Sequence, residues 1–385
     1  MSKSIEEINE KIKSGKAVVL TAEEFKKLGE EESPESLVKK VDVVTTATFG
    51  PMCSSGAFLN FGHSSPGIRM EKISLNGVPV YGGIAAVDAY IGATETGNPA
   101  DAYGGAHVIE DLVSGKEVRL RASGKGTDCY PSRDADALVS LKDINEAFLF
   151  NPRNSYQNYG AATNSSKERK YTYMGVLMPR FGNINYSTSG ELSPLLNDPW
   201  LRFTGIGTRI FLCGATGYVA WSGTQCHLNR ARNEKGIPLQ PAATLAVTGN
   251  LKEMSPEYLR AAYFEKYGVS LFVGIGIPFP VIDADAARDL LIRNRDIETR
   301  INDYGAESHP CIETVNYEQL QSGKISIGGK PVRTAPLSSL SKARQIAEEL
   351  KQRILRCDFY LTQKLQDLPG SEDLKSLSTK RGGEK

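Results

Sequence analysis

Apolar and polar positions follow the period of a helix in some segments of the chain and the period of a strand in others. Three segments near the amino end open with residues typical of helix starts: Ser4 with Glu7, Thr21 with Glu24, and Ser33 with Pro34. The run VDVVTTATF that comes next is rich in β-branched residues and predicts a buried strand. Near the other end, apolar residues recur at steps of three and four from Leu340 to Leu365, which predicts a long C-terminal amphipathic helix.

Glycine positions predict the turns between these elements. Asn76 and Gly77 lie between two short apolar alternations, the pattern of a β-hairpin. The tripeptide Ser-Gly-Lys occurs in IKSGKAVVL, LVSGKEVRL and LQSGKISIGG, each time between a helix-like segment and a β-branched run. At each of these places we expect a helix that is closed by a left-handed glycine and followed by a strand.

The remaining pattern adds further helices and loops. The run AVDAYIGAT and the segment that starts at Ser255-Pro256-Glu257 predict helices, whereas residues 151–166 and 182–200 predict long, functional loops. The fold class predicted is α/β or α+β, with a mixed-sheet body and surrounding helices. Residues 1–369 are expected to form a single catalytic unit, either undivided or made of two subdomains, and residues 370–385 a polar, flexible tail.

Charge and hydropathy exclude several classes of protein. The 385 residues include 46 Lys and Arg against 45 Asp and Glu, a net charge of +1, so we expect neither a nucleic-acid partner nor an anionic membrane partner. The longest apolar run, VSLFVGIGIPFPVI, is broken by Gly and Pro, and the amino end has no apolar signal core. We therefore expect a cytoplasmic protein.

Cysteine chemistry is the first functional signal. None of the six cysteines forms a CxxC pair and the histidines show no ligand spacing, so we expect no metal site. No glycine motif matches a nucleotide-binding pattern, and we expect no tightly bound cofactor. Cys53 lies in TATFGPMCSSGAF, which predicts a strand, a turn and then a helix. A helix N-terminus would favour the thiolate, and Ser54 and Ser55 could cap that helix or donate to the sulfur. The alternative is a small buried hydrophobic residue, the common fate of a free cysteine.

Cys129 lies in a second glycine-containing loop, ASGKGTDCYPS. Lys125 and Arg133 would favour its thiolate, whereas Asp128 would oppose it, and functional and structural roles are equally supported. Together with Cys53, this residue could form a nucleophile and a resolving thiol.

Polar side chains elsewhere are candidate partners. His63 follows Cys53 by ten positions and could face the same pocket, although a loop histidine bonded to backbone is an equal alternative. Arg153, Asn154 and Tyr156 could bind a carboxylate or an amino-acid backbone, since arginine is the natural bidentate partner of a carboxylate. An ordinary polar loop explains them equally well.

Several of these stretches together resemble one protein family. The segments are GPMCSSGAFLNFGHSSP, NGVPVYGGIAAVDAYIGAT, AYGGAHVIEDLVSGK, GTDCYP, GELSPLLNDPWL and GTRIFLCGATGYVAWSGTQ. They are similar to the homocysteine biosynthesis family, the L-aspartate semialdehyde sulfurtransferases of methanogenic archaea and anaerobic bacteria. The resemblance extends over nearly the whole chain, and the two cysteine motifs are its specific part.

The resemblance implies a function and two site residues. The family inserts sulfur, from sulfide or a persulfide, into L-aspartate semialdehyde, and two electrons complete L-homocysteine. Its reactive cysteine corresponds to Cys53 in GPMCSSG and its second cysteine to Cys129 in GTDCYP. The family's reductant is thought to involve a ferredoxin-like iron–sulfur protein, which implies an external electron donor here. Many archaeal relatives carry paired CBS modules after the catalytic part, and we expect this chain to be a form without them.

Other hypotheses remain open at this point. Cys53 and Cys129 could belong to a persulfide carrier or a redox sensor, or to another thiol-dependent enzyme that acts on a small carbonyl substrate. A carrier needs no substrate pocket, so the polar, aromatic middle third favours an enzyme. A homo-oligomer is compatible with the sequence.

Overall fold

The computed structural model describes residues 2–98, 102–370, 375 and 377, and it has both helices and strands. In this part of the chain the helices are α1 (Ile5–Lys13), α2 (Ala22–Leu28), α3 (Pro34–Lys40), α4 (Gly105–Val113), α5 (Pro194–Asn197), α6 (Ala284–Leu290), α7 (Tyr317–Gln321) and α8 (Leu340–Leu355). Short 3₁₀ turns cover Gly190–Leu192, Leu251–Glu253 and Asn294–Asp296. Most of the predicted tail, 370–385, lies outside the described residues.

The strands occupy much of the rest of the chain. Their bounds are β1 (Val19–Thr21), β2 (Val43–Pro51), β3 (Gly56–Asn60), β4 (Lys72–Leu75), β5 (Val78–Tyr81), β6 (Asp88–Gly92), β7 (Val118–Ser123), β8 (Asp134–Val139), β9 (Glu146–Asn154), β10 (Ala161–Thr163), β11 (Lys170–Thr172), β12 (Gly175–Leu177), β13 (Asn183–Tyr186), β14 (Arg209–Leu212), β15 (Ala215–Ser222), β16 (Leu245–Asn250), β17 (Leu259–Phe264), β18 (Gly268–Pro280), β19 (Glu298–Asp303), β20 (Cys311–Asn316), β21 (Lys324–Ile327) and β22 (Lys330–Pro336).

A large sheet of 14 strands forms the body, in the order β1-β2-β18-β14-β15-β16-β9-β3-β6-β5-β4-β7-β8, with β17 paired to β18. β1 and β2 are parallel, and the other described pairs of this sheet are antiparallel. The residues of β2 are buried as far as Gly50, which explains its continuous run of apolar and β-branched residues. Helix α8 packs closely on the sheet because β18 carries glycine there: a Cβ on Gly274 would lie 2.8 Å from Ile346 Cδ1.

A second sheet of six strands has the order β20-β19-β10-β13-β22-β21. Its own apolar cluster includes the buried Ile184, Ile301 and Tyr317. Strands β11 and β12 form a separate hairpin beside it. A small cluster of Ala162, Met174 and Leu177 packs there against partly buried tyrosines. The division of the catalytic unit into subdomains stays a prediction.

Many of the local predictions are confirmed. Ser4, Thr21 and Ser33 cap α1, α2 and α3 through their side chains. The three Ser-Gly-Lys turns have left-handed glycines at Gly15, Gly115 and Gly323, each between a helix and a strand. Asn76 and Gly77 form the predicted hairpin between β4 and β5, both with positive φ.

Several predicted helices and loops are wrong. The run AVDAYIGAT contains β6 rather than a helix, because its alternate residues Ala89 and Ile91 are buried between neighbouring strands. The segment after Ser255 turns once and then forms β17, which pairs along β18. The predicted loop 151–166 contains the end of β9 and all of β10, and the predicted loop 182–200 contains β13 and α5.

The C-terminal amphipathic helix is present and ends earlier than its apolar spacing predicts. α8 ends at Leu355, and Cys357 takes a left-handed conformation with φ 64°. Phe359 and Leu361 are still buried on the body, so the apolar pattern continues into extended chain. None of the helices in the described residues has the length and hydropathy needed to cross a membrane.

Candidate active site

Cys53 lies in a turn between two strands of the large sheet. β2 ends at Pro51, the Ser55 N–H donates to the Met52 carbonyl, and β3 begins at Gly56. The predicted helix after Cys53 is therefore wrong, and no helix dipole acts on this thiol from that side. β3 forms because it pairs with β6 and β9 along its whole length, contacts that local sequence does not reveal.

Two hydroxyl groups face the Cys53 sulfur. Ser270 Oγ, on the fully buried Ser270 of β18, lies 3.3 Å from Cys53 Sγ, and Tyr267 Oη lies 3.7 Å from it. Burial raises the pKa of Tyr267, and the neighbouring Cys53 raises it further. Tyr267 is therefore neutral near pH 7 and able to donate a hydrogen bond to a sulfur anion.

The thiol opens into a cavity of about 580 Å³ at the junction of the sheets. The lining comes from the ends of β2 and β9, the region of β11–β13, the β17–β18 turn, and the segments that follow β6, β15 and β22. Its residues are Gly50, Pro51, Met52, Cys53, Ser54, Thr94, Arg153, Tyr156, Tyr159, Tyr173, Met174, Ser187, Gln225, Tyr267, Leu337 and Ser338. Its volume suits a small metabolite rather than a polymer.

A larger cavity, of about 670 Å³, lies elsewhere, beside Trp200 and Arg288. It is lined mostly by charged side chains, and no cysteine is among its described lining residues. The Cys53 cavity is therefore the better candidate for thiol chemistry.

Tyrosines dominate the polar lining of the Cys53 cavity. The hydroxyls of Tyr159 and Tyr173 are 2.8 Å apart, and those of Tyr173 and Tyr304 are 2.6 Å apart. Burial raises the pKa of Tyr156 to about 12, and it also raises the pKa values of Tyr159, Tyr173 and Tyr304. These phenols stay protonated at neutral pH.

Arg153 and Tyr156 lie where the sequence analysis expects substrate contacts. Both line the cavity, and Arg153 Nε donates to Thr224 Oγ1 at 2.9 Å. Among the described lining residues, Arg153 carries the only fixed positive charge. It is therefore the natural partner for a substrate carboxylate.

Of the other predicted substrate contacts, one lines the cavity and two are buried outside the lining. Ser54 lines the cavity, and its Oγ lies 3.4 Å from Asn151 Oδ1. Ser55 is buried behind it, where its hydroxyl donates to the Met52 carbonyl and accepts from Asn151 Nδ2. Asn154 is also buried, and its Oδ1 accepts from the Ser155 N–H. Ser55 and Asn154 are outside the lining and hold the turn and strand in place.

The second cysteine occupies a different place. Cys129 is exposed in the β7–β8 loop, next to the exposed Asp128, and neither residue lines the Cys53 cavity. His63 is in the same region, with its ring stacked on Tyr130 at 5.8 Å between centroids. The structure therefore places His63 with the Cys129 loop and away from Cys53.

Sequence reasoning missed Tyr159, Tyr173 and Tyr267. The signal that could have found them is the density of tyrosine and asparagine in the middle third of the chain. Ser270, inside an apolar strand, offered no local signal at all.

Comparisons with known proteins identify relatives of this chain. A family model described as "Homocysteine biosynthesis enzyme, sulfur-incorporation" matches residues 17–361. A protein of Methanocaldococcus jannaschii named L-aspartate semialdehyde sulfurtransferase is 50% identical over 96% of this chain and 74% of its own length. A protein of the same name from Methanosarcina acetivorans is 48% identical over 98% of this chain and 74% of its own length. No solved structure matches the chain.

Proposed function

The chain belongs to the family of homocysteine biosynthesis enzymes that incorporate sulfur, and from this premise we propose that it converts L-aspartate semialdehyde into L-homocysteine at Cys53. The two relatives of about half identity carry the corresponding enzyme name. The single observation that supports the site most strongly is the Cys53 sulfur itself. It faces a metabolite-sized cavity and has two hydroxyl groups directed at it.

The reaction is an exchange of oxygen for sulfur with reduction. One aldehyde, one hydrogen sulfide, two protons and two electrons give one thiol and one water. If the sulfur arrives as a persulfide on Cys53, two further electrons and two further protons return Cys53 to the thiol. The electrons come from an external donor, for which we propose a ferredoxin-like iron–sulfur protein.

Cys53 holds the sulfur in this proposal. Its thiolate attacks the sulfane sulfur of an external donor such as polysulfide, the shortened polysulfide anion leaves, and the terminal sulfur of the resulting persulfide then attacks the aldehyde carbon. Ser270 and Tyr267 stabilise the sulfur anion by hydrogen bonds, which take the place of the helix dipole predicted from sequence. Arg153 binds the substrate's carboxylate and so holds the aldehyde carbon close to the sulfur on Cys53.

Cys129 has a separate task in this proposal. Because it is exposed and lies outside the cavity, it is suited to thiol exchange with an external partner. A resolving role toward Cys53 would require the β7–β8 loop to move.

The test is an anaerobic assay of homocysteine formation from L-aspartate semialdehyde, polysulfide as the donor of sulfane sulfur, and a chemical reductant. We expect product from the wild-type protein and from Cys311→Ala, a control that removes another partly exposed thiol. We expect none from Cys53→Ala. Undiminished product from Cys53→Ala would overturn the proposed site, and absence of product from the wild type with every donor would favour a persulfide carrier.

A further inference from the structure

The Cys53 cavity lacks the usual acids and bases of enzymes. No aspartate, glutamate, histidine or lysine is among the described residues that line it. Its ionisable groups are Cys53, Arg153 and four tyrosines. Arginine does not give up its proton in proteins and Cys53 holds the sulfur, so the tyrosines are the remaining ionisable proton donors among the described lining residues.

The proposed reaction needs such a donor. When a sulfur anion attacks the aldehyde, a carbon–sulfur bond forms and the π electrons of the carbonyl move to oxygen. The resulting alkoxide needs one proton, and the subsequent loss of water needs a proton on the departing hydroxyl. A donor in the cavity must therefore be refilled from solvent during each turnover.

Three tyrosine hydroxyls form a continuous line that leads away from the cavity. Tyr159 and Tyr173 line the cavity, and Tyr304 lies outside its lining. The hydroxyl separations are 2.8 Å and 2.6 Å, both within hydrogen-bond distance. The Tyr304 ring stacks on the exposed His309, with 4.3 Å between ring centroids, so the line ends near the surface.

The surroundings keep this line intact. The three tyrosine rings pack against the apolar cluster of Ala162, Met174 and Leu177. Edge-on ring contacts join Tyr173 to Tyr159 at 6.2 Å and to Tyr304 at 6.3 Å. This packing holds the rings in place, so the hydroxyls keep their hydrogen-bond spacing.

From this arrangement we propose that Tyr159 is the acid that protonates the substrate oxygen, and that Tyr173 and Tyr304 relay protons to it from solvent. The inference rests on the proposed function. As the alkoxide takes the Tyr159 proton, Tyr159 takes the proton of Tyr173, Tyr173 takes that of Tyr304, and Tyr304 takes one from a solvent water, which leaves as hydroxide. Each hydroxyl donates and accepts once, so the chain returns to neutrality and no electrons move.

The raised pKa values of these tyrosines suit the role. Burial is the main cause for each of the three, and it keeps them protonated before attack. An alkoxide is a stronger base than a tyrosinate, so the transfer from Tyr159 is downhill when charge develops on oxygen. Before charge develops on the substrate oxygen, all three tyrosines stay protonated.

The test uses Tyr173→Phe, which removes the middle hydroxyl and keeps the ring. We expect kcat for homocysteine formation to fall roughly 10- to 100-fold, at the lower end of general-acid effects because water can partly replace the hydroxyl. We also expect a difference in the solvent isotope effect, measured as kcat against the fraction of D₂O. The curve for the wild type should require several transferred protons, and the curve for the variant only one. The rate of Cys53 alkylation should not change.

Controls separate a relay from a structural role. Tyr171→Phe removes a hydroxyl two residues away in β11 and should keep wild-type kcat and isotope effect. Tyr304→Phe breaks the same line from its outer end and serves as a second variant if Tyr173→Phe does not fold. Its expected loss and isotope effect match those of Tyr173→Phe.

Two results would overturn the relay alone. One is wild-type kcat in Tyr173→Phe, and the other is a lowered kcat with the multi-proton isotope effect retained. Both require a wild-type protein that forms homocysteine through Cys53. If the wild type forms no homocysteine, the proposed function is wrong. The relay is then wrong as well, because it is proposed only as the proton source of that reaction.

Discussion

Cys53 and Cys129 have similar sequence surroundings and different structural ones. Each follows a strand and lies in a turn with glycine and proline nearby. Cys53 opens into a cavity and contacts Ser270 and Tyr267, whereas Cys129 is exposed on the β7–β8 loop. A local motif can therefore identify a candidate thiol. The surroundings of that thiol are set by side chains from distant parts of the chain.

The largest effect should come from removing each of the two thiols separately and assaying both variants with two different electron donors. We expect Cys53→Ser to abolish homocysteine formation with any reductant, because the sulfur carrier is lost. Cys129→Ser should keep near wild-type activity with a chemical reductant and lose most activity when a ferredoxin-like protein supplies the electrons. Measurement is homocysteine yield under both conditions.

Equal losses in Cys53→Ser and Cys129→Ser with the chemical reductant would contradict the separation of roles. That outcome would indicate that the β7–β8 loop reaches the cavity during turnover.

The next effect concerns substrate binding by Arg153 in the Cys53 cavity. Arg153→Met should raise KM for L-aspartate semialdehyde roughly 10- to 100-fold, since a hydrogen bond to a charged group contributes about 1.5–3 kcal/mol. Steady-state kinetics measure it, with the exposed Arg121→Met on β7 as the matched control. An unchanged KM in Arg153→Met would mean that the substrate carboxylate binds elsewhere.

The smallest effect concerns the sulfur anion. Tyr267→Phe removes the phenol hydroxyl 3.7 Å from Cys53 Sγ, and we expect alkylation of Cys53 by iodoacetamide at pH 7 to slow about tenfold. The exposed Tyr263→Phe on β17 should leave the rate unchanged. Cys129 alkylation, followed in the same sample, should not respond to either substitution.

An equal rate in Tyr267→Phe and the wild type would show that the phenol does not stabilise the sulfur anion. Ser270 would then be the sole hydroxyl acting on Cys53.

The local signals in the sequence predicted the elements that local chemistry controls. Capping residues such as Ser4 and left-handed glycines such as Gly15 act within a few positions, so they were predictable. The strand that delivers Cys53 was also predictable from its β-branched run.

The rest depends on contacts between distant segments. Ser54 and Ser55 favour a helix cap locally, but pairing with β6 and β9 makes the next segment a strand. The cavity joins Cys53, Tyr159 and Tyr267, residues far apart in the chain, and no periodicity in the sequence could reveal that Tyr267 faces the sulfur. Arg153 and Tyr156 could be named from the sequence because arginine and tyrosine in a polar loop have a recognisable chemistry; both line the cavity, and their contact with substrate stays a prediction.

We propose that Cys53, within its tyrosine-lined cavity, carries the sulfur that enters the substrate. The most direct measurement is mass spectrometry of protein loaded anaerobically with polysulfide, before and after addition of L-aspartate semialdehyde together with a reduced electron donor, beside a sample that receives the donor alone. We expect one extra sulfur on the Cys53 peptide that is lost as homocysteine forms when substrate and donor are both present, faster than with the donor alone, together with an unresponsive Cys311 peptide. Substrate-dependent formation of homocysteine while the Cys53 peptide never carries sulfur, or never loses it, would contradict the account.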